Sequence, residues 1–560
     1  MTRSNYHHIV SLILIFLIQS TFAANIIVNT TIDNENAGDG KCTLREAVNN
    51  ANINSDNTER DCKKGKGADT ITSTEEIGYI SLGSSLKITD KIRFKNLSIE
   101  GAAFVINSYF NDFIIVAEFE DVSLSRSGIQ NRESSLTIKN SHFISSPITN
   151  ENGFLTIKNS TFEFGSGIRT DFNEIDWSLL PWGGVSIGKS TFRENSSITH
   201  MIFPLSIVDS TFSNNSRGRG GALYLEGAET VSIVNSTFSG NSATGKGGAI
   251  FNQGEFHWRS ETPIDSRLSI TNSTFFNNSA PRGGGIFNNR LYFIADSSGR
   301  IEEGDGCFIC ERDYENNQGF CDDKCWFIQG YVIETIEGRL SLRNTIIANN
   351  EGGEDCYNDG PYFSAKNNFI GDASCNSEYS GDPHLGPLRD NEGPTMTHAL
   401  LEGSPAIDAG DDASCSSRDQ RGMPRTKISA GKHCDIGAFE FQFPDLVELL
   451  GFTVTPHEKG ILFKWETAVE RDSSEFYLWQ ADPSQGGCQQ YTNETRLTDR
   501  AFSSQGNETQ GASYEYVYEG SMVPNSCYGL EERETSGKIN FYIIDPGIEK
   551  WKTFSITPQR

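Results

Sequence analysis

The amino-acid sequence predicts an all-β chain: a right-handed parallel β-helix followed by a small β-sandwich. Three observations predict it. A four-residue phrase recurs, an apolar–polar–apolar triplet precedes each copy, and both stop before residue 445, where alternating strands of another kind begin. The phrase reads NSHF at Asn140–Phe143, NSTF at Asn159–Phe162, KSTF at Lys189–Phe192 and DSTF at Asp209–Phe212. It returns as NSTF at Asn235–Phe238 and Asn272–Phe275, and as NTII at Asn344–Ile347. The Phe-to-Phe spacings are 19, 30, 20, 26 and 37 residues. Periods of this size mark a solenoid whose longer spacings hold loop insertions.

Taken in order, residues 1–23 read as a secretory signal peptide. Arg3 opens a basic head, Ile9–Ile18 is apolar except for Ser11, and Thr21-Phe22-Ala23 offers small residues for cleavage. The apolar run is too short for a membrane span. The expected product is exported, secreted or displayed at the cell surface, with no transmembrane segment. Its formal net charge of −27 argues against nucleic-acid partners and anionic membranes.

Ile26-Ile27-Val28 reads as a strand. The string CTLREAVNNAN, from Cys42 to Asn52, reads as a short helix with Leu44, Ala47, Val48 and Ala51 on one face. This string closely resembles the CSLREA segment of exported bacterial β-helix proteins, which implies an N-terminal cap. Arg45 and Glu46 are read as a local ion pair of that cap rather than as catalytic groups.

The triplets before each phrase include Leu136-Thr137-Ile138, Leu155-Thr156-Ile157, Leu205-Ser206-Ile207, Val231-Ser232-Ile233, Leu268-Ser269-Ile270 and Leu340-Ser341-Leu342. Their alternation is that of strands. The shorter periods leave no room for a crossover helix with its strand, which need about 30 residues. A leucine-rich repeat is set aside, because its Leu-x-x-Leu-x-Leu pattern is absent. Stacked coils place the triplets and the Phe column in one core, and the asparagines Asn140, Asn159, Asn235 and Asn272 are expected to form an amide ladder.

A second element runs in step with the first: GRGGAL at Gly218–Leu223, GKGGAI at Gly245–Ile250 and PRGGGI at Pro281–Ile286. It accompanies FREN at Phe192, FSNN at Phe212, FSGN at Phe238 and FFNN at Phe275. These resemble the FxxN and GGA[ILV] repeats of polymorphic outer-membrane proteins, a bacterial surface family, and that resemblance implies a β-helix on the cell surface. Arg219, Lys246 and Arg282 occupy the same place before the paired glycines. They are a candidate ridge for an anionic ligand, with a solvated turn as the alternative.

The twelve cysteines all follow residue 23, and an exported chain uses them as disulfides. Sequence neighbours suggest Cys42–Cys62, Cys356–Cys375, Cys415–Cys434 and Cys488–Cys527. Cys307, Cys310, Cys321 and Cys325 lie in an insertion over about 290–333. Two disulfides among themselves or a four-thiolate zinc site both fit that spacing.

Residues 381–441 carry GDPHLGPLRDNEGPTMTHALLEGSPAIDAGDDASC, DQRGMPR and CDIGAFE. They resemble the choice-of-anchor Q segment of bacterial surface proteins, which implies closure of the β-helix. Asp408, Asp411, Asp412, Asp419 and Asp435 invite calcium on ligand type, and equally serve as turn formers; no other cofactor is expected. Residues 446–560 show strands at 447–455, 460–468, 475–480, 514–519, 527–534 and 538–544, the pattern of a β-sandwich with Trp465 in its core. The strings FKWETAVERDSSEFYLW and YGLEERETSGK resemble fibronectin-type-III-like modules.

For function, the expectation is a structural or adhesive surface protein, with extracellular polysaccharide or matrix as partner. A polysaccharide lyase or hydrolase is the alternative, because such enzymes also use this fold. No catalytic set stands out: His257 and His398 are isolated, and Asp171, Glu174 and Asp176 fall in a loop insertion.

Overall fold

A computed structural model describes residues 24–441 apart from 75–76, 108–113, 172–182, 258–261, 296–308, 314–317, 321–330, 361–362 and 426–432. It describes residues 447–556 apart from 471–472, 485–486, 507–510, 524–525, 535–538 and 545–551. The signal-peptide reading and Cys307, Cys321, Cys325, Glu174 and Asp176 lie outside these residues. The chain divides into two compact units, one ending at Phe441 and the next beginning at Gln442.

The first unit is a parallel β-helix. Each coil is a succession of strands joined by corners. In a representative coil, Val231–Val234 and Thr237–Ser239 form two strands around a corner, and Ile250–Gln253 forms a third on the opposite sheet. That opposite sheet stacks ten parallel strands in coil order, from Leu86–Ile88 to Cys356–Asn358. Equivalent residues sit in register: Phe143, Phe162, Phe192, Phe212, Phe238 and Phe275 pair successively, and Ile347 follows. Their rings stack 4.6–4.9 Å apart and are almost fully buried. Each adds roughly 2 kcal/mol of burial.

The four letters of the phrase divide the work differently from the expected amide ladder. The Asn is the corner. Asn140, Asn159, Asn235, Asn272 and Asn344 all hold φ of 47–50°, and Lys189 and Asp209 hold 51° in the same place. Among residues with a Cβ, Asn and Asp tolerate this left-handed conformation best. Side-chain bonds along this column are discontinuous: Asn159 donates to Asn140, Asn235 to Asp209 and Asn344 to Asn272. The continuous ladder belongs to the Ser. The backbone N–H groups of Val122, Ser141, Ser160, Ser190, Ser210 and Ser236 donate to the next coil's Ser Oγ at 3.1–3.2 Å, ending at Ser273. These hydroxyls satisfy N–H groups that the bend removes from the strand ladder.

A second such chain runs through the Asn of FxxN. Backbone N–H groups step from Ser127 through Ser146, Ser166, Ser196, Asn215, Asn241, Asn278 and Asn350 to Asp355, at 2.8–3.1 Å. In the FREN copy the participant is Ser196, not Asn195. Glu194 and Asn195 both take positive φ there, so one extra residue shifts the register.

The N-terminal helix, Leu44–Ile53, starts on a capping box between Thr43 and Glu46 and packs Leu44, Ala47, Val48 and Ala51 into the core. Arg45 does not pair with Glu46. It pairs with Asp33 at 2.7 Å and donates to the Ser84 carbonyl at 2.8 Å, tying the helix to the coil below. Around the cysteine-rich insertion, Arg290–Ala295 pairs antiparallel with Tyr331–Arg343, so the chain leaves and re-enters the stack as a ribbon.

The described residues of 381–441 include a segment that lies along the flank of the stack. Gln420 and the segment around Met396, Arg418 and Ser414 hydrogen-bond to Thr211, Thr237, Asn235 and Asn272. The Thr of the phrase faces outward, and the segment supplies partners for Thr211, Thr237 and Thr274. Thr161 and Thr191 are half-buried, whereas Thr211, Thr237 and Thr274 are buried beneath the segment. Gly437 (φ 107°) allows the close approach: a Cβ there would stand 3.0 Å from Thr274 Oγ1 and 2.7 Å from Ile346 Cδ1.

The second unit is a sandwich of two antiparallel sheets. Val447–His457, Gly460–Glu470 and Ser513–Tyr518 form one; Ser473–Ser484, Gly487–Arg496, Cys527–Glu534, Ile539–Ile544 and Lys552–Ile556, with Phe502–Ser503, form the other. Phe452, Phe463 and Trp465 from the first meet Phe476, Leu478, Tyr528 and Leu530 from the second. The strand Gly487–Arg496 escapes sequence reading because GCQQYTNETR lacks apolar alternation.

Candidate functional site

The paired glycines build the ridge. Gly220, Gly247 and Gly283 hold φ of 59–68°, and a Cβ on them would come within 2.0–2.5 Å of the carbonyl oxygens of Leu223, Ile250 and Ile286. The second glycine is needed for stacking: a Cβ on Gly221 would fall 2.2 Å from the Gly248 carbonyl oxygen, and on Gly248, 2.0 Å from that of Gly284. Only residues without a side chain let successive turns approach this closely.

This fixes the residue before each pair. Lys246 pairs in parallel with Arg282, the Gly220 N–H donates to the Lys246 carbonyl at 3.0 Å, and the Gly247 N–H donates to the Arg282 carbonyl at 3.0 Å. Arg219, Lys246 and Arg282 therefore form one column on successive coils.

Sequence reasoning missed the floor beneath them. Tyr224, Phe251, Phe287 and Tyr357 pair in register on the opposite sheet, facing away from the core that takes Leu223, Ile250, Ile286 and Cys356. Their rings stack nearly parallel, 5.5, 5.6 and 4.5 Å apart. The Arg219 guanidinium lies 5.5 Å from the Phe251 centroid, the Lys246 ammonium 4.9 Å from Phe287, and Arg282 4.5 Å from Tyr357. Arg217 lies over Tyr224 at 5.4 Å and donates to Thr199 Oγ1. Cations so placed gain about 0.5–1 kcal/mol each from the ring quadrupole. The signal was present in sequence, since each Gly-Gly is followed by Ala-Leu-Tyr, Ala-Ile-Phe or Gly-Ile-Phe.

Burial pushes the Tyr224 hydroxyl upward, and so does the neighbouring Glu226 carboxylate. Tyr357 is raised by burial, with Asp359 adding and Arg282 opposing. Burial lowers Arg217. The site thus presents fixed positive charge on a neutral aromatic floor, which suits binding of an anion.

The other candidates are dispersed. The aspartates considered for calcium divide among separate partners. Asp411 pairs with Lys366 and accepts from Ser414; Asp412 accepts from His433 and the Cys434 N–H. Asp419 pairs with Arg421, and Asp435 accepts the N–H groups of Asp408 and Phe441. Among the described residues no group of three metal-capable side chains converges. His398 is buried between the Gly386 carbonyl and Ser239 Oγ, and burial lowers its pKa. Asp171 pairs with Arg169. The side chains of His257, Cys310 and Cys488 lie outside the described residues.

The structure joins Cys42 to Cys62, Cys356 to Cys375 and Cys415 to Cys434. Cys527 is also disulfide-bonded. Among the described residues no helix is long and apolar enough to cross a membrane.

Residues 235–253 match the model of the Chlamydia polymorphic membrane protein repeat. The match spans one coil's worth of chain, from the Asn235 corner through Phe238, Asn241 and Lys246 to Gln253. No curated protein and no solved structure matches the chain.

Proposed function

We propose that the protein is an exported surface protein of structural or adhesive type that binds an acidic extracellular polysaccharide through Arg219, Lys246 and Arg282. One observation carries the reading: three cations stand in register on successive coils, each seated on an aromatic ring. Two findings support the setting. The matched repeat is one named for membrane proteins, and it contains Lys246. Disulfides persist in oxidising compartments, and three link the β-helix unit.

The ridge is local relief on an acidic molecule of formal net charge −27. At physiological ionic strength charges beyond about 8 Å are largely screened, so a ligand at the column meets its three cations together with the nearby carboxylates of Glu226, Glu354 and Asp359. The test is retention of the full chain on an immobilised acidic polysaccharide. Replacing all three cations with Ala is expected to abolish retention at physiological salt. Unchanged retention overturns the reading.

A further inference from the structure

We infer that the column takes its ligand lengthwise, as a linear polyanion whose successive charges meet Arg219, Lys246 and Arg282 in turn. This rests on the ridge reading above and adds ligand shape, direction and length. The direction follows from the register. Lys246 and Arg282 pair as parallel neighbours, and the backbone bonds place Arg219 one coil further on. Parallel neighbours are about 4.8 Å apart, so the three cations repeat along the stack axis at about that interval. A homopolymer of acidic sugars carries one carboxylate per unit.

A crosswise ligand meets the wrong charge. On the strand Leu223–Glu226, Tyr224 and Glu226 both point outward. The Glu226 carboxylate accepts from the Tyr224 hydroxyl at 3.1 Å and from Gln253 Nε2 at 2.8 Å, which fixes it beside the aromatic row. An anionic chain laid along a strand would run from the cation toward this carboxylate. Laid along the axis, it follows the cations as far as the Tyr357 end, where Glu354 and Asp359 lie.

The column also has two ends. After Arg282 its place is taken by Gly353, where a Cβ would fall 2.7 Å from Arg282 Cα, so no side chain fits. Before Arg219 the coil is shorter. Ser196-Ser197 leads directly into the strand Ile198–Met201, with no Gly-Gly turn and no counterpart of Arg219. The backbone column therefore holds three consecutive cations, while Arg217 over the next ring, Tyr224, is engaged by Thr199. Seating each cation on a ring limits its freedom before binding, which lowers the ordering cost of complex formation.

The test is calorimetric titration of the full chain with galacturonate dimer, trimer and hexamer at low salt. The trimer should bind about tenfold tighter than the dimer, one further charge-assisted contact. The hexamer should exceed the trimer only by its statistical advantage. Lys246→Ala removes the middle charge and should abolish the trimer's advantage. Lys246→Gln, which keeps an aliphatic stem over Phe287, should do the same and separates charge from folding. Arg219→Ala should leave dimer and trimer equal. If dimer and hexamer bind the wild-type chain equally while the triple Ala variant loses both, the lengthwise inference falls and the ridge stands. If the triple variant binds as the wild type does, both fall.

Discussion

The Thr237 hydroxyl donates to Gln420 Oε1 at 2.7 Å, across 183 residues of chain. The same amide donates to Thr211 Oγ1 at 2.9 Å and Thr395 Oγ1 at 2.8 Å. One fully buried glutamine thus ties two coils to the flanking segment. Gln420→Ala removes Thr237's acceptor and leaves a cavity, at an expected cost of about 2–4 kcal/mol. Limited proteolysis along a denaturant series is the readout. Cleavage within 381–441 should precede loss of the coils. Simultaneous loss would show that the segment does not depend on this amide.

The division of labour within the repeated phrase makes a contrast that can be measured. Ser236→Ala leaves the Ser210 N–H buried without its acceptor, and should cost about 1–3 kcal/mol. Asn159 is exposed, with φ of 50°. Asn159→Ala should cost about 1 kcal/mol of left-handed strain, whereas Asn159→Gly should be close to neutral. Thermal unfolding of the three variants checks this. An Asn159→Gly variant as damaged as Asn159→Ala would return the Asn to a ladder role.

These contrasts mark where sequence reading succeeds and where it stops. The Phe143-to-Phe275 column is legible because a large apolar residue at a fixed place in a repeat has one destination, the core. Asn and Ser are adjacent, small and polar, so their pattern does not say which one takes positive φ and which accepts the N–H. That is decided by the bend, and the bend is a property of the backbone. The shift from Asn195 to Ser196 is hidden for the same reason. Arg219, Lys246 and Arg282 are legible as a set because the glycines beside them fix the register. Their floor is not, because Ile250-Phe251 and Ile286-Phe287 read as core strands until the sheet shows Phe251 and Phe287 pointing away from the core. The docking of Gln420 on Thr211 and Thr237 leaves no local signature at all.

The disulfide Cys356–Cys375 spans 19 residues at the last coils of the stack. In the chain-entropy model a loop of this size contributes about 3 kcal/mol. Replacing both cysteines with Ser should lower stability by that order. The loss should be local, since Gly371 N–H to the Ile347 carbonyl and Ile370 N–H to the Tyr379 carbonyl are among the last backbone bonds of the stack. Hydrogen exchange should accelerate at 370–371 and remain slow at 212–238. Uniform acceleration would mean that the bridge stabilises the whole helix rather than its end.

The flanking segment also carries a pH dependence. Asp435 and Glu440 are buried together with Arg425, and Asp419 with Arg421 stands beside them; Asp209 faces the group from the coil. Carboxylates outnumber guanidinium groups here. Burial first and the Glu440 carboxylate second push Asp435 up to about 7, against an ordinary value of 3.8. A carboxyl raised in the folded state binds its proton there more tightly than in the unfolded chain. Its contribution is therefore fully present below about pH 4 and is lost as pH rises to about 7. The buried histidines act in the opposite sense: His200 is lowered to about 4 and His398 is lowered as well, both by burial, so they favour folding as pH rises toward 6.5. The measurement is consequently a difference. Asp435→Asn should be less stable than wild type at pH 5, because the Asn amide puts an NH2 donor where a carboxyl oxygen faces one of the two backbone N–H groups, of Asp408 and Phe441. Between pH 5 and 8 the variant should gain on the wild type by on the order of a few kcal/mol. Parallel stability curves across that range would show that Asp435 does not hold its proton in the folded protein.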